Sequence, residues 1–138
     1  MKVALTSKPR SPLVRYSPMM RDLRALSVAQ PWAWLICGGF KDVENRSWRT
    51  SYRGPLLIHA GMKVRSADAV QLNGIVPPEE LQPGGIVGIA DLVDCLEESS
   101  SPWFDGTGYG WVLRSPRQLR FRKCKGSPGL FRPQFPER

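Results

Sequence analysis

The sequence predicts a single domain of mixed α+β class, mainly β, in which a small, strongly curved sheet closes toward a barrel and two or so short helices pack on it. Three observations carry this. The 138 residues include 13 glycines and 13 prolines, which cut the chain into short elements and exclude a helical bundle. The apolar runs are short and β-branched, the best being Ile86 to Cys95. A chain of this length buries one core rather than two.

The elements follow in order. Residues 1–20 are rich in Ser, Pro and bases with no apolar period, and are read as a flexible basic arm. Met20 followed by Arg-Asp-Leu-Arg-Ala-Leu also reads as an alternative start, which would make the arm a start-site artefact. Leu23 to Val28 fits a first strand, and Gln30-Pro31 opens a short helix with proline in its first turn. Gly38-Gly39 ends that helix. Residues 41–48 form a strand in which period two places Glu44, Arg46 and Trp48 on one face and Val43, Asn45 and Ser47 on the other. Tyr52-Arg53-Gly54-Pro55 turns the chain into the apolar run Leu56 to Ala60. Residues 63–72 fit a second helix with Val64, Ala67 and Leu72 inward, closed by Asn73-Gly74. After the long strand at 86–95 come strands at 108–113, 119–123 and 129–132, then a tail over 133–138.

Charge is distributed unevenly. The net +8 comes from the two ends: residues 1–19 hold four bases and no acid, and residues 114–138 hold eight bases and one acid, while the middle is slightly acidic. A cationic tract beside a folded site concentrates polyanions and points to nucleic acid; a solvated tail is the bland alternative. Cys37, Cys95 and Cys124 are odd in number and far apart, suiting buried thiols rather than disulfides or a metal pair. The longest apolar stretch is too short to span a bilayer, and prolines break the N-terminal segment, so no membrane partner and a cytoplasmic location are expected.

Gly39-Phe40-Lys41-Asp42-Val43-Glu44-Asn45-Arg46 is the most informative segment: three long ionisable side chains in one short strand read as the floor of a polar site. Together with Leu26-Ser27-Val28, Gln30-Pro31-Trp32-Ala33-Trp34, Tyr52-Arg53-Gly54, Ile58-His59-Ala60, Tyr109-Gly110-Trp111-Val112-Leu113 and Lys125-Gly126-x-x-Gly129-Leu130-Phe131, it resembles the ASCH (activating signal cointegrator homology) domain family, most closely its small bacterial and phage type. The match runs from about Leu23 to Arg132, so residues 21–132 are taken as the domain. The resemblance implies a PUA-like β-barrel with a cleft beside the Gly-x-Lys-x-x-Glu-x-Arg strand, binding RNA or modified nucleosides.

Each cleft candidate has its own physical case. Lys41 holds a phosphate or pairs with Glu44, or, with its pKa lowered, serves as a base or nucleophile. Glu44 accepts from a base amino group, moves a proton, or pairs with Arg46. Arg46 presents a fork to phosphate or locks Glu44. Trp32 and Trp34 lie about 200° apart on a helix, so one lines the cleft, and Trp32 is the choice for stacking, with Trp48 nearby. Gln30 pairs with a base edge or caps the helix; Tyr52 and Arg53 sit at the mouth or in a surface turn. His59 is read as a core residue rather than a metal ligand.

Two activities associated with the family supply the enzymatic alternatives. An amidohydrolase acting on acetylcytidine uses the strand lysine and a threonine three residues later, where this chain has Glu44; a carboxylate does not replace an activated hydroxyl nucleophile. The distant glutamate of that scheme has Glu97, Glu98 and Asp105 as possible counterparts. A ribonuclease would need Lys41 beside Tyr52 or Tyr109. The leading expectation is binding of RNA or a nucleotide, with no cofactor and no metal; a hydrolase or a protein-interaction module are the alternatives.

Overall fold

The computed structural model describes residues 17–68 and 70–136. Most of the expected basic arm therefore lies outside the described residues. Within its last four residues, Pro18–Met20 make one 3-10 turn, and Met20 packs with Leu23 against the outer core.

Six strands form one mixed sheet, with β1 (Arg24–Gln30), β2 (Val43–Arg46), β3 (Gly54–Val64), β4 (Gly85–Leu96), β5 (Tyr109–Lys123) and β6 (Leu130–Phe131) in the order β2-β5-β4-β3-β1-β6. β1 and β3 are parallel, and the other neighbours run antiparallel. The sheet curls into a partial barrel, so the mainly β, PUA-like class holds. Because β6 pairs only with Ala25 and Leu26, the C-terminal half of β1 keeps a free edge. The sheet curls until β2 faces that edge, where the Arg46 guanidinium donates to the Ser27 carbonyl oxygen at 2.7 Å. A side chain thus ties the two strands where no ladder joins them.

Alternation along the strands divides the core. Leu26, Val28, Ile58, Ala60, Leu92 and Trp111 pack inward under α1 (Trp32–Cys37), which contributes Ala33, Ile36 and Cys37. Ala25, Leu57, Ile86, Ile89 and Leu119 face the other side, covered by Met20, Leu23, Phe131 and Phe135. Of the segment expected as a tail over 133–138, the described residues 133–136 belong to this outer layer: Pro133 is buried, and the Arg122 guanidinium lies 4.2 Å from the Phe135 ring centroid.

Two expected elements differ. The helix over 63–72 does not form. β3 continues through Val64, which pairs with Gln30 and is exposed, and the chain makes only a single turn closed by Leu72 N–H to the Asp68 carbonyl. Asp68 and Gln71 satisfy each other's backbone N–H groups with their side chains, and Asn73 in the left-handed region ends the turn. Of the three apolar residues assigned to that helix, Leu72 is buried and Ala67 packs beside it. Among the described residues the fold therefore has one α-helix. The strands expected at 108–113 and 119–123 are one strand, β5, which absorbs Pro116 in a bulge. Ile89 pairs with Arg117 and Asp91 with Arg114, so one residue of β4 faces two of β5, and Ser115 takes φ 52° to make the step.

Candidate functional site

A cleft of about 490 Å³ opens between the start of α1, the edge strand β2 and the loop 102–105. Its aromatic walls are Trp32, Trp103 and Phe104; Lys41, Glu44 and Asp105 bring charge to it.

Local backbone sets Lys41. Gly39 at φ 86° reverses the chain after α1, and the N–H groups of Phe40 and Lys41 both donate to the Leu35 carbonyl. The lysine is thereby turned inward at the helix end and is only 4% exposed. Its Nζ donates to the Val43 carbonyl at 2.5 Å, stands 3.5 Å from Glu44 Oε1, and lies 5.7 Å from the Trp103 ring centroid. Burial holds its pKa below the usual lysine value, opposed first by the Glu44 carboxylate.

Glu44 is 7% exposed and held from both sides, by Lys41 and by Arg46, whose Nε donates to Oε2 at 3.1 Å and whose terminal nitrogen lies 3.0 Å from the same oxygen. A carboxylate between two cations is fixed in place and remains an acceptor toward the cleft. Asn45 is the next residue, yet it also lines the cleft, because β2 is an edge strand wrapped by the 102–105 loop. Its amide donates to the Trp103 carbonyl at 2.9 Å and accepts from Asp105 N–H at 3.0 Å, fixing the aromatic wall.

The eight expected binding residues separate into two groups. Trp32, Lys41 and Glu44 come together in the cleft. Gln30 lies buried beside it and caps α1, accepting from Trp34 N–H at 2.9 Å while its amide donates to the Gln82 carbonyl at 3.3 Å. Arg46 stands behind Glu44, outside the lining, with its guanidinium engaged by Glu44 and Ser27. Trp48 packs edge-on against Trp111, ring centroids 4.7 Å apart. The Tyr52 hydroxyl donates to the Pro55 carbonyl, and Arg53 donates to the Thr50 and Tyr52 carbonyls, a surface turn away from the cleft. Trp34 turns toward Phe40, ring centroids 5.2 Å apart. Tyr109 also lies outside the lining, and Glu97 and Glu98 are exposed elsewhere, leaving Asp105 as the acid that reaches the cleft from a distance.

Sequence reasoning missed Asn45, Arg65 and the Trp103-Phe104 wall. An aromatic pair inside Pro102-Trp103-Phe104-Asp105-Gly106, a segment with turn residues at both ends, was the available signal, since a loop holds two large rings only where they pack on something.

The sequence matches known proteins and one family model. Over 131 aligned residues, 78% of this chain, it is 32% identical to activating signal cointegrator 1 of Homo sapiens. Over 126 aligned residues, again 78% of the chain, it is 40% identical to activating signal cointegrator 1 of Mus musculus. The matched region is 22% of each relative's length, so this chain corresponds to about a fifth of those proteins. The model of the ASCH domain matches residues 26–112, from β1 into β5, and so contains Trp32, Lys41, Glu44 and the 102–105 loop; this chain belongs to the ASCH domain family.

Proposed function

We propose that this chain binds RNA by taking a single base, plain or modified, into the cleft between α1, β2 and the 102–105 loop. The observation that carries the reading is the convergence of a buried, fixed Lys41–Glu44 pair with the rings of Trp32, Trp103 and Phe104 around a space of about 490 Å³, within the range of small-ligand pockets. A base offers flat apolar faces and a polar edge, and the cleft offers flat apolar walls and a polar floor.

The roles follow from the geometry. Glu44 accepts from an exocyclic amino group on the base edge. Lys41 donates to a neighbouring ring nitrogen or carbonyl oxygen; at 4% exposure it serves a base edge better than a phosphate, which would have to be dragged into the floor. Trp32 stacks on the base face. Arg65, exposed on the rim, meets the adjoining phosphate, and the exposed bases of β5 (Arg114, Arg117, Arg120) add salt-dependent attraction for the strand.

The hydrolytic readings have less support. Glu44, in the place where a hydroxyl would be needed, is committed to two cations, and neither Tyr52 nor Tyr109 lines the cleft with Lys41. Binding of short RNAs and of a panel of plain and modified nucleosides, followed by calorimetry with product analysis, tests the proposal. Trp32→Ala should weaken binding by about 1 to 3 kcal/mol with little loss of melting temperature. Unchanged binding by both Trp32→Ala and Lys41→Met would remove the cleft from the account, and a product peak would replace binding with catalysis.

A further inference from the structure

A second cavity, of about 520 Å³, lies on the face of the β1–β3 pair that α1 does not cover, and it shares no lining residue with the cleft. Parallel register sets Ser27 opposite His59, in step with Ala25 and Leu57 rather than with the inward Leu26 and Ile58. The pair forms the polar floor. His59 is 1% exposed; its Nε2 lies 2.8 Å from the Cys124 carbonyl oxygen and its Nδ1 3.0 Å from Ser27 Oγ.

The hydrogen positions in this floor follow from chemistry. A carbonyl oxygen only accepts, so Nε2 carries the proton. Burial lowers the imidazole pKa, so the ring is neutral at pH 7 and Nδ1 is an acceptor. Ser27 must then donate to it, and Oγ turns its remaining acceptor capacity toward the cavity. The floor asks a ligand for an N–H or O–H donor.

The walls are backbone. A Cβ at Gly126 would stand 2.7 Å from His59 Cε1 and 3.1 Å from Ser27 Oγ, and one at Gly61 would stand 3.2 Å from Ser27 Oγ. Glycine at these two points keeps side chains from closing over Ser27 Oγ. Met62, 76% exposed, supplies a polarizable apolar side to the mouth. Lys123 and Lys125 are exposed at the rim, and among the described residues they form no ion pair and no carboxylate lines the cavity. These groups suit an anion with an apolar body and a donor at its far end.

We propose that this cavity is a second nucleotide site. The ring lies along Met62 between the backbones of Gly61 and Gly126, a ring or amino N–H donates to Ser27 Oγ, and the phosphate is held by Lys123 and Lys125. The site does not depend on the cleft reading.

Nuclear magnetic resonance titrations with AMP, CMP, GMP and UMP, their nucleosides and inorganic phosphate test it. Nucleotides should give saturable shifts at the His59 ring and at the Gly61 and Gly126 amides, with nucleosides binding more weakly. The charge-reversed pair Lys123→Glu/Lys125→Glu, both on exposed side chains, should weaken nucleotide binding about 10- to 100-fold. Ser27→Ala, which leaves the lysine rim intact, should erase the preference for nucleotide over inorganic phosphate. Shifts confined to the lysines and matched by inorganic phosphate would overturn the proposal, as would absence of saturation at His59. Shifts found only at Trp32, Asn45 and Trp103 would overturn it too, while leaving the cleft in place.

Discussion

Replacing Glu44 by glutamine tests the electrostatics of the cleft floor. Lys41 Nζ and Glu44 Oε1 are 3.5 Å apart, and both residues are nearly inaccessible. At an effective dielectric of about 20 their gross attraction is about 5 kcal/mol. Desolvation of the two ions offsets most of that, so the intact pair adds little net stability. Breaking it is different, because Glu44→Gln removes the carboxylate paired with the buried ammonium and leaves neutral oxygens, the Val43 carbonyl and the new amide, as its nearest acceptors. The expected loss is about 3 kcal/mol at pH 7, measured by urea unfolding. Its pH dependence has a definite sign. Burial already lowers the Lys41 pKa, and Glu44 is the largest influence opposing that, so the substitution lowers it further. Between the folded value and the ordinary value of 10.5, the unfolded chain binds more protons and stability rises with pH. The deficit of Glu44→Gln should therefore shrink as pH rises from 7 toward 10. Lys41→Met should cost less than Glu44→Gln, since Glu44 keeps Arg46 at 3.0 Å. A deficit below about 0.5 kcal/mol, the level of ordinary surface changes, or one that grows with pH, would refute the reasoning.

Four further outcomes are expected. Arg46→Met removes the tie between β2 and the free edge of β1 and should cost about 2 kcal/mol in urea unfolding, with faster hydrogen exchange at β2 than elsewhere in the sheet. The His59 pKa is lowered below 6.5, so the unfolded chain takes up protons first as pH falls; stability should drop below pH 6.5, and this part of the acid slope should vanish in His59→Gln. Gly88→Ala should destabilise by about 1 to 3 kcal/mol, because a Cβ there overlaps Cys37 Sγ and the Arg117 carbonyl oxygen. Of the three thiols, half-buried Cys95 should be alkylated first in the native state, since Cys37 and Cys124 are buried and burial pushes both pKa values up; mass spectrometry after brief labelling reads this directly.

What the sequence showed about the site was what local periodicity controls. Period two in residues 41–48 paired Glu44 with Arg46, and the helix angle separated Trp32 from Trp34, because both depend on neighbours along the chain. The use of Arg46 was not local. Whether its guanidinium meets a ligand or Ser27 depends on how far the sheet curls, which rests on strand pairings far along the chain. The wall of Trp103 and Phe104 is fastened at the cleft by Asn45, across 58 residues of sequence, and by Ser101 donating to Asp42. Residues 63–72 carry apolar spacing that a helix would satisfy, but pairing of Val64 with Gln30 in the sheet outweighs that weak preference. Residues 108–113 and 119–123 read as two strands, and a one-residue bulge at Ser115-Pro116 joins them into one.

The most direct measurement is a complex structure of this chain with a short single-stranded RNA. The account predicts one base inserted against Trp32, its polar edge within hydrogen-bond distance of Glu44 and Lys41 Nζ, and the backbone passing Arg65. RNA bound wholly along the basic surface of β5, with the cleft occupied by nothing but solvent, would contradict it.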